Sequence, residues 1–319
     1  MLLANQHQNR MHREFINLYH RLGLPLHFNH KGNKQFNNLQ RISLLILYQR
    51  SKKSLVDFCE ELKESLWVKW LSLKKIPGGS TLHDWLKLFK MIQIRKLNSL
   101  LKAKNISLTA IDGTGLDSWQ RSRHYEKRVG EVHVPHMPYA KVDLFIDVKT
   151  QQILDFSLEV KRIHDAKVAG IIFKRNKLSG FDILADKGYD SEKLHKLVRS
   201  KGGKLFAPVR KMNKVSSNKK PGGKYRRECL ELPEFMGMRS LVETVNSVLK
   251  RKQISSLRSK KKYMKQREFA WHVVLYNINR KIILGSEDGN QTFIFCQIFI
   301  WAIPDGALFC KVLKVDFFK

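Results

Sequence analysis

Acidic residues are scarce in this chain. Asp and Glu number 28 against 60 Lys and Arg in 319 residues, which leaves a net charge of +32. An excess of this size predicts a polyanionic partner, with nucleic acid ahead of an anionic membrane surface. Basicity alone would also suit a ribosome-associated or other RNA-binding protein. The class of partner therefore has to be decided by the motifs.

Cysteines are also few, and long apolar runs are missing. The four cysteines lie far apart and form no CxxC pair, which argues against a zinc site or a disulfide framework: Cys59, Cys229, Cys296 and Cys310. The longest apolar stretch, residues 293–303, is interrupted by Gln297 and is too short to cross a bilayer. We therefore expect reduced thiols and a cytoplasmic protein with no membrane partner.

The first hundred residues carry apolar side chains at helical spacing. Ser54, with Asp57 three positions further on, predicts the N-cap of one helix. Thr81 and Asp84 predict a capping box for a later helix that continues to Leu101. These helices form either a DNA-binding helix-turn-helix unit or a dimerisation or scaffolding domain, and the sequence leaves both open.

Near residue 105 the pattern changes from helical to strand-like. Strands are predicted at residues 106–112, 139–148, 153–160 and 181–186. The second and third form a hairpin, and helices follow. This order predicts an α/β fold with a mixed sheet flanked by helices.

The chain divides by composition into three parts. We predict a helical N-terminal domain at 1–104 for DNA binding or dimerisation, an α/β domain at 105–284, and an atypical apolar tail at 285–319. The tail is either a docking segment or read-through past a disrupted gene end.

Three carboxylates stand out among the few present: Asp112, Asp186 and Glu243. Asp112 and Asp186 follow short apolar runs, so we expect them near the carboxyl ends of strands, where α/β sheets gather ligands. Carboxylate oxygens suit hard divalent cations. By contrast, Asp143 and Asp147 alternate with apolar residues along a predicted strand, which favours a solvent-facing position.

The third carboxylate lies on a predicted helix between two cations. Arg239 is four residues before Glu243, and Lys250 is seven after it, so all three are expected on one helix face. This arrangement suits a metal ligand flanked by phosphate-binding groups. The alternative is a surface Arg–Glu pair that contributes a few tenths of a kcal/mol.

Basic and aromatic residues are interleaved just beyond Asp112. Arg121 and Arg123 lie between Trp119 and Tyr125. This mixture suits stacking on exposed bases together with contacts to the DNA backbone. A loop that packs its aromatic side chains on the sheet is an equal alternative.

Together these motifs resemble those of the DDE transposases of prokaryotic insertion sequences, over roughly residues 35–283. AIDGTG at Asp112 resembles the first-Asp motif, and HDAK with LADKGYDS at Asp186 resembles the second-Asp block. R-x3-E-x6-K, from Arg239 to Lys250, matches the signature around the catalytic Glu. The chain departs from many relatives at Met236, where they have Tyr, and the short interval from Asp186 to Glu243 resembles the compact subgroup.

The resemblance implies an RNase H-like catalytic domain at 105–284 and a two-step reaction at the element's ends. Asp112, Asp186 and Glu243 are implied as catalytic residues and as ligands of two Mg²⁺ or Mn²⁺ ions. Arg239 and Lys250 are implied as contacts to the terminal phosphates. DNA is implied as partner, both transposon ends and target, with a homodimer on DNA and a nucleoid-associated location.

Two alternatives share this fold. One is an inactive or domesticated relative that binds DNA without cutting it, for which the atypical tail argues. The other is a metal-dependent nuclease that cuts without joining. The intact acidic triad argues against the first, and no sequence feature separates the second from a transposase.

Overall fold

The computed structural model describes residues 2–28, 34–117, 139–161, 163–210, 222–254 and 256–287. Its eleven labelled helices among these residues are α1 Leu2–Leu22, α2 Asn38–Ser51, α3 Leu55–Lys63, α4 Trp67–Trp70, α5 Gly79–Leu88, α6 Met91–Leu101, α7 Asp165–Arg175, α8 Glu192–Ser200, α9 Lys224–Arg227, α10 Leu241–Val248 and α11 Lys262–Glu287. Short 3₁₀ helices span Lys187–Tyr189 and Glu234–Ser240, and a π-helix spans Leu249–Gln253.

The helices before the sheet confirm one predicted cap and correct another. Ser54 caps α3, and its hydroxyl accepts a hydrogen bond from the backbone N–H of Asp57 at 3.1 Å. The capping box at Thr81 is wrong, because α5 begins two residues earlier at Gly79. Gly79 packs closely on α3, where an added Cβ would lie 3.3 Å from that of Leu55. Tertiary packing thus sets this helix start.

The helix predicted to run on to Leu101 is broken into α5 and α6. Phe89 takes an extended backbone conformation, with ψ of 113°, at the end of α5. Its side chain is fully buried and packs edge-to-face on Trp271 of α11, with ring centroids 5.6 Å apart. Burial of this aromatic ring stabilises the break, because a continuous helix would point the residue elsewhere.

Five strands form one mixed sheet: β1 Leu108–Asp117, β2 Tyr139–Asp147, β3 Ile153–Glu159, β4 Asp182–Ala185 and β5 Lys204–Phe206. Their order across the sheet is β3-β2-β1-β4-β5. The first three strands pair antiparallel, and β4 and β5 join parallel to β1. A mixed five-stranded sheet in this order, flanked by helices, confirms the predicted RNase H-like α/β fold.

Helices cover both faces of the sheet. On one face, α7 and α8 bury residues such as Ile172 and Val198 against Ile111 and Phe145. On the other face, α10 and α11 pack against alternate residues of the same strands, including Ala110. Because β1 lies in the middle of the sheet, its short apolar run is buried on both sides.

The N-terminal helices share their hydrophobic core with the sheet. Helix α11 packs against α1, α2, α5 and α6 as well as β3, so one cluster of buried side chains runs from Phe15 to Phe156. The division into parts at 1–104 and 105–284 stays a prediction. The apolar tail falls almost wholly outside the described residues.

Candidate active site

Two of the three predicted carboxylates lie on neighbouring strands. Asp112 is in the middle of β1, and Asp186 directly follows β4. The parallel pairing of these strands brings Ile111 opposite Ala185, so Asp112 and Asp186 are the next residues along two paired chains. After Asp186 the chain turns at once, since the N–H of Tyr189 donates to its carbonyl oxygen at 2.9 Å.

Glu243 reaches the same region from α10. Val242 and Val245 are fully buried and pack this helix onto β1. Glu243 points away from that core, and its side chain is 58% exposed. The predicted single helix from Arg239 to Lys250 is wrong in type. Arg239 lies in the 3₁₀ helix before α10, and Lys250 lies in the π-helix after it.

Arg239 connects two of the carboxylates. One terminal nitrogen, Nη2, lies 3.1 Å from Glu243 Oε1, and the other, Nη1, lies 3.7 Å from Asp112 Oδ2. Its side chain is 25% exposed, and that of Asp112 is 20% exposed. The predicted Arg–Glu pair therefore forms. It is not an isolated surface pair, because Arg239 also lies near Asp112 of β1.

Asp112 is electrostatically coupled to both other carboxylates. Burial raises its pKa above the ordinary value. The N–H of Gly113 and the charge of Arg239 lower this pKa, whereas the charges of Glu243 and Asp186 raise it further. Negative charge is therefore concentrated at this point in a protein that is otherwise strongly basic.

A cleft of about 390 Å³ opens beside Asp112. Its lining includes Asp112, Glu243, Asn246, Ser247, Lys250 and Arg251. Asp112, Glu243 and Lys250 thus face one space, whereas Asp186 does not line it. The sequence analysis missed Arg251. Its place beside Lys250 on the π-helix depends on a helix type that residue spacing does not predict.

The chemical type of the three carboxylates, Asp112, Asp186 and Glu243, suits a divalent cation. Carboxylate oxygens are the ligands that Mg²⁺ and Mn²⁺ prefer. Within the described ranges, no three His, Cys, Asp or Glu side chains are gathered closely enough to hold a metal ion. Arg239 instead lies between Asp112 and Glu243. Because Glu243 is mostly exposed, its carboxylate can leave Arg239 without any change in the core.

Other predicted residues lie elsewhere or outside the described chain. Arg121 and Arg123 are outside the described residues. The prediction that Asp143 and Asp147 face solvent is wrong, since they are 0% and 3% exposed. Both lie on β2, whose two faces are covered by helices. His164 of the HDAK motif is exposed just before α7.

Asp190 is a site-proximal residue that the sequence analysis missed. Its side chain is fully buried and pairs with Arg226, whose Nη2 lies 2.6 Å from Oδ2. Burial opposes the charge of Asp190, but Arg226 and the N–H of Arg210 outweigh it and lower the pKa. Asp190 therefore ties two later chain segments to the turn that follows Asp186. Its position in the LADKGYDS block was the available signal.

The fold and site thus define an α/β protein with a mixed sheet that has one carboxylate on β1 and another directly after its parallel neighbour β4. The family model described as the transposase DDE domain matches residues 103–278, more than half of the chain. This chain belongs to that family.

Two further comparisons add little to this assignment. No curated protein matches the chain significantly. A cryo-EM structure of a piggyBac transposase synaptic complex with hairpin DNA is similar to 88% of this chain and 73% of that chain, with 13% identity and a TM-score of 0.45. This likeness is too low to transfer residue roles. Among the described helices, none has the length and apolar character needed to span a membrane.

Proposed function

We propose that this chain is a DNA transposase that uses divalent metal to cleave 3′ ends at an insertion sequence and to join them to target DNA. The observation that carries the proposal is the placement of Asp112 and Asp186. Asp112 lies on β1 and Asp186 directly follows β4, at neighbouring positions of the two paired strands. Glu243 faces the cleft beside Asp112. Membership of the transposase DDE domain family supports it.

Asp112, Asp186 and Glu243 are the residues proposed to hold Mg²⁺ or Mn²⁺, as two ions. When bound, such ions supply an activated attacking oxygen and a stabilised leaving oxygen for an in-line displacement. Three carboxylates near one another repel, and this repulsion already contributes to the raised pKa of Asp112. A cation pair would remove it, so the site is suited to bind metal and DNA phosphate together.

The cations around the cleft are proposed to bind the DNA. Lys250 and Arg251 line it directly and can neutralise phosphates on either side of the scissile bond. Arg239 is planar and can exchange Glu243 for a phosphate, since a guanidinium binds both groups through the same pair of N–H donors. Arg121 and Arg123 are proposed as further DNA contacts.

The surroundings follow from the same proposal. Joining two element ends to one target requires two active sites, so we expect a homodimer on DNA. The protein is proposed to act in the cytoplasm on nucleoid DNA. Residues 1–104 are proposed to bind DNA or to dimerise, and residues 105–284 to catalyse the reaction.

The first prediction is that Asp186→Asn abolishes cleavage and leaves DNA binding intact. The change keeps the size of the side chain and removes its charge. Nicking of a labelled duplex that carries the element's end, with Mg²⁺ or Mn²⁺, should fall by more than about 100-fold, the upper range for losing a mere supporting group of a metal site. Electrophoretic mobility shift should report unchanged DNA affinity.

Asp182→Asn is the matched control, because it makes the same change at the start of the same strand. Asp182 is partly buried and lies away from the cleft, so this variant should cleave like the wild type. Equal cleavage by the Asp186→Asn variant and the wild type would overturn the site. DNA binding without cleavage by the wild type would instead indicate a non-catalytic relative, and cleavage without joined products would indicate a nuclease.

A further inference from the structure

Four polar side chains, three of them buried, form a group on the sheet face opposite Asp112. They are Lys141 and Asp143 of β2, Asp165 at the start of α7, and Tyr189 in the 3₁₀ helix after Asp186; we call this group the polar bridge. Asp143 lies opposite Gly113 in the antiparallel strand pair, so its side chain projects on the same sheet face as Gly113. Because successive residues of a strand point to opposite faces, this face is the one away from Asp112. No role in the proposed chemistry accounts for these four residues.

The polar bridge is closed by short contacts. The hydroxyl of Tyr189 donates to Asp143 Oδ1 at 2.8 Å, and Lys141 Nζ lies 3.5 Å from Asp143 Oδ2. The Lys141 ammonium also contacts Asp165 and donates to the carbonyl of Ile163 at 3.0 Å. Tyr189 is 1% exposed, Asp143 0% and Lys141 8%. These three side chains are therefore excluded from water, whereas that of Asp165 is 39% exposed.

Gly113 makes this contact possible. Tyr189 follows β4, and Asp143 lies on β2, so the hydroxyl must pass the strand between them, β1. A Cβ at Gly113 would lie 3.2 Å from Asp143 Oδ1 and 3.5 Å from the Tyr189 hydroxyl. The residue after Asp112 thus has no side chain at the point where Tyr189 crosses β1.

Gly188 plays the same part on the other side. A Cβ there would lie 2.6 Å from Asp165 Oδ2, closer than real Cβ atoms come to other groups. Each of the two Asp motifs therefore contains a glycine that makes room for the polar bridge: AIDGTG through Gly113 and LADKGYDS through Gly188.

A buried group of this kind is a poor way to gain stability. Two carboxylates and an ammonium lose hydration, and apolar residues of similar volume often stabilise a core as well or better. Asp143 Oδ2 also lacks a hydrogen-bond donor among the described residues. The cost is understandable if the polar bridge sets geometry, because hydrogen bonds fix distance and direction where apolar contacts do not.

We propose that the Tyr189 hydroxyl, bonded to Asp143 across β1, is a positioning group that fixes the turn carrying Asp186 beside Asp112 for binding of a divalent metal. The inference rests on the proposed function. The link to Asp186 is short, since the N–H of Tyr189 also donates to the Asp186 carbonyl at 2.9 Å. One residue thus contacts β2 with its side chain and the Asp186 turn with its backbone.

The test is Tyr189→Phe, with Tyr276→Phe as the matched control. Each change removes one hydroxyl with one hydrogen bond from a buried tyrosine. Tyr276 lies on α11, away from the cleft, and is 3% exposed. Its hydroxyl donates to the carbonyl of Gln151 at 3.1 Å. Both variants should fold, and their urea midpoints should shift by similar amounts. Any difference between them in metal binding then reflects position rather than stability.

Two readouts are measured. The first readout is calorimetric titration, with Mn²⁺, of the protein bound to a DNA-end duplex. The Mn²⁺ dissociation constant should be about 10-fold higher for Tyr189→Phe, the lower range for losing a supporting group of a metal site. It should be unchanged for Tyr276→Phe. Amide hydrogen exchange of residues 186–190 should be faster in Tyr189→Phe alone. Asp143→Asn keeps an acceptor for the tyrosine and should retain wild-type values in both measurements.

The outcomes separate this inference from the proposed function. Equal Mn²⁺ affinities in the two tyrosine variants, or an unchanged exchange rate at 186–190, would overturn the positioning role while wild-type cleavage stands. A wild type that neither binds Mn²⁺ nor cleaves would overturn the proposed function and, with it, the metal part of the inference. The exchange rates would then still decide whether the hydroxyl holds the turn.

Discussion

The pKa of a buried carboxyl group depends on the loss of hydration and on the charges around it. Asp143 is such a group. Burial raises its pKa to about 6, although Lys141 and the hydroxyl of Tyr189 act in the opposite direction. The charge of Asp165 also contributes to the raised pKa of Asp143. The native state therefore holds this proton at pH values where the unfolded chain, with a pKa of 3.8, has released it.

The second prediction is that Asp143 makes stability fall as pH rises. A raised folded pKa means that the native state binds more protons than the unfolded state between the two values, so the free energy of unfolding declines from about pH 4 to above pH 6. The decline is about 3 kcal/mol at about 1.36 kcal/mol per pKa unit. Asp143→Asn has no such proton.

Urea unfolding of both proteins at several pH values in this range measures the difference. Other titrating groups are common to the two proteins and cancel when one curve is subtracted from the other. The wild type should therefore lose about 3 kcal/mol relative to Asp143→Asn. Parallel curves would show that Asp143 does not titrate in this way.

At the scale of single residues, the sequence identified the carboxylates but not their surroundings. Asp186 directly follows β4, as predicted, but the prediction that Asp112 lies near the carboxyl end of its strand is wrong, because β1 continues to Asp117. The same alternation rule misplaced Asp143 and Asp147, because a central strand covered on both faces has no solvent side. Asp143 is paired with Lys141 and Tyr189, whereas Asp147 accepts from the N–H of Thr150 at 3.0 Å. The contact between β2 and the Asp186 turn is not encoded in local spacing.

A buried amide on helix α11, that of Asn277, bonds this helix to the sheet. Asn277 is 0% exposed, and its Oδ1 accepts from the N–H of Ile153 at 2.9 Å. Its Nδ2 donates to the carbonyl of Ile153 at 2.8 Å and to Asn98 Oδ1 at 2.7 Å. One side chain therefore connects α11 to both β3 and α6.

The third prediction is that Asn277→Ala destabilises the protein by about 3 kcal/mol, since three hydrogen bonds are lost and their partners stay buried. Asn98→Ala should cost a similar amount, because it removes the bond from Asn277 and also the bond that Asn98 Nδ2 donates to the carbonyl of Ile153 at 3.0 Å. The double variant should cost less than the sum of the two, as residues in one network are coupled. Urea unfolding measures all three, and strict additivity would contradict the network.

At the scale of elements, helix existence was easier to predict than helix type. The helices predicted after the hairpin are present, and the last of them, α11, spans Lys262–Glu287. The signature from Arg239 to Lys250 was read as one helix but contains 3₁₀, α and π segments. The π segment closes with the Ile254 N–H on the Leu249 carbonyl at 2.8 Å, and residue spacing cannot distinguish this bond from an α-helical one.

The larger of two hydrophobic clusters among the described residues joins the N-terminal helices to one face of the sheet. Phe156 of β3 and Phe269 of α11 pack with ring centroids 4.9 Å apart, and α11 in turn packs against α1, α2, α5 and α6. The change of pattern near residue 105 predicts a boundary between helices and sheet, but it carries no information on α11, which returns from the far end of the described chain to the first helices. Long-range packing of this kind lies beyond composition and periodicity.

The last prediction is that the N-terminal helices and the sheet unfold together. A shared apolar core couples them, because separating α11 from either side would expose surface that costs roughly 25 cal/mol per Å². Native-state hydrogen exchange in increasing urea should therefore give equal opening free energies for the most protected amides of α2 and β1. Asn277→Ala should lower both by the same amount, since its amide connects α6 and β3 through α11. If α2 lost protection at lower urea than β1, or if the variant weakened one side only, the helices and the sheet would be separate folding units despite their common core.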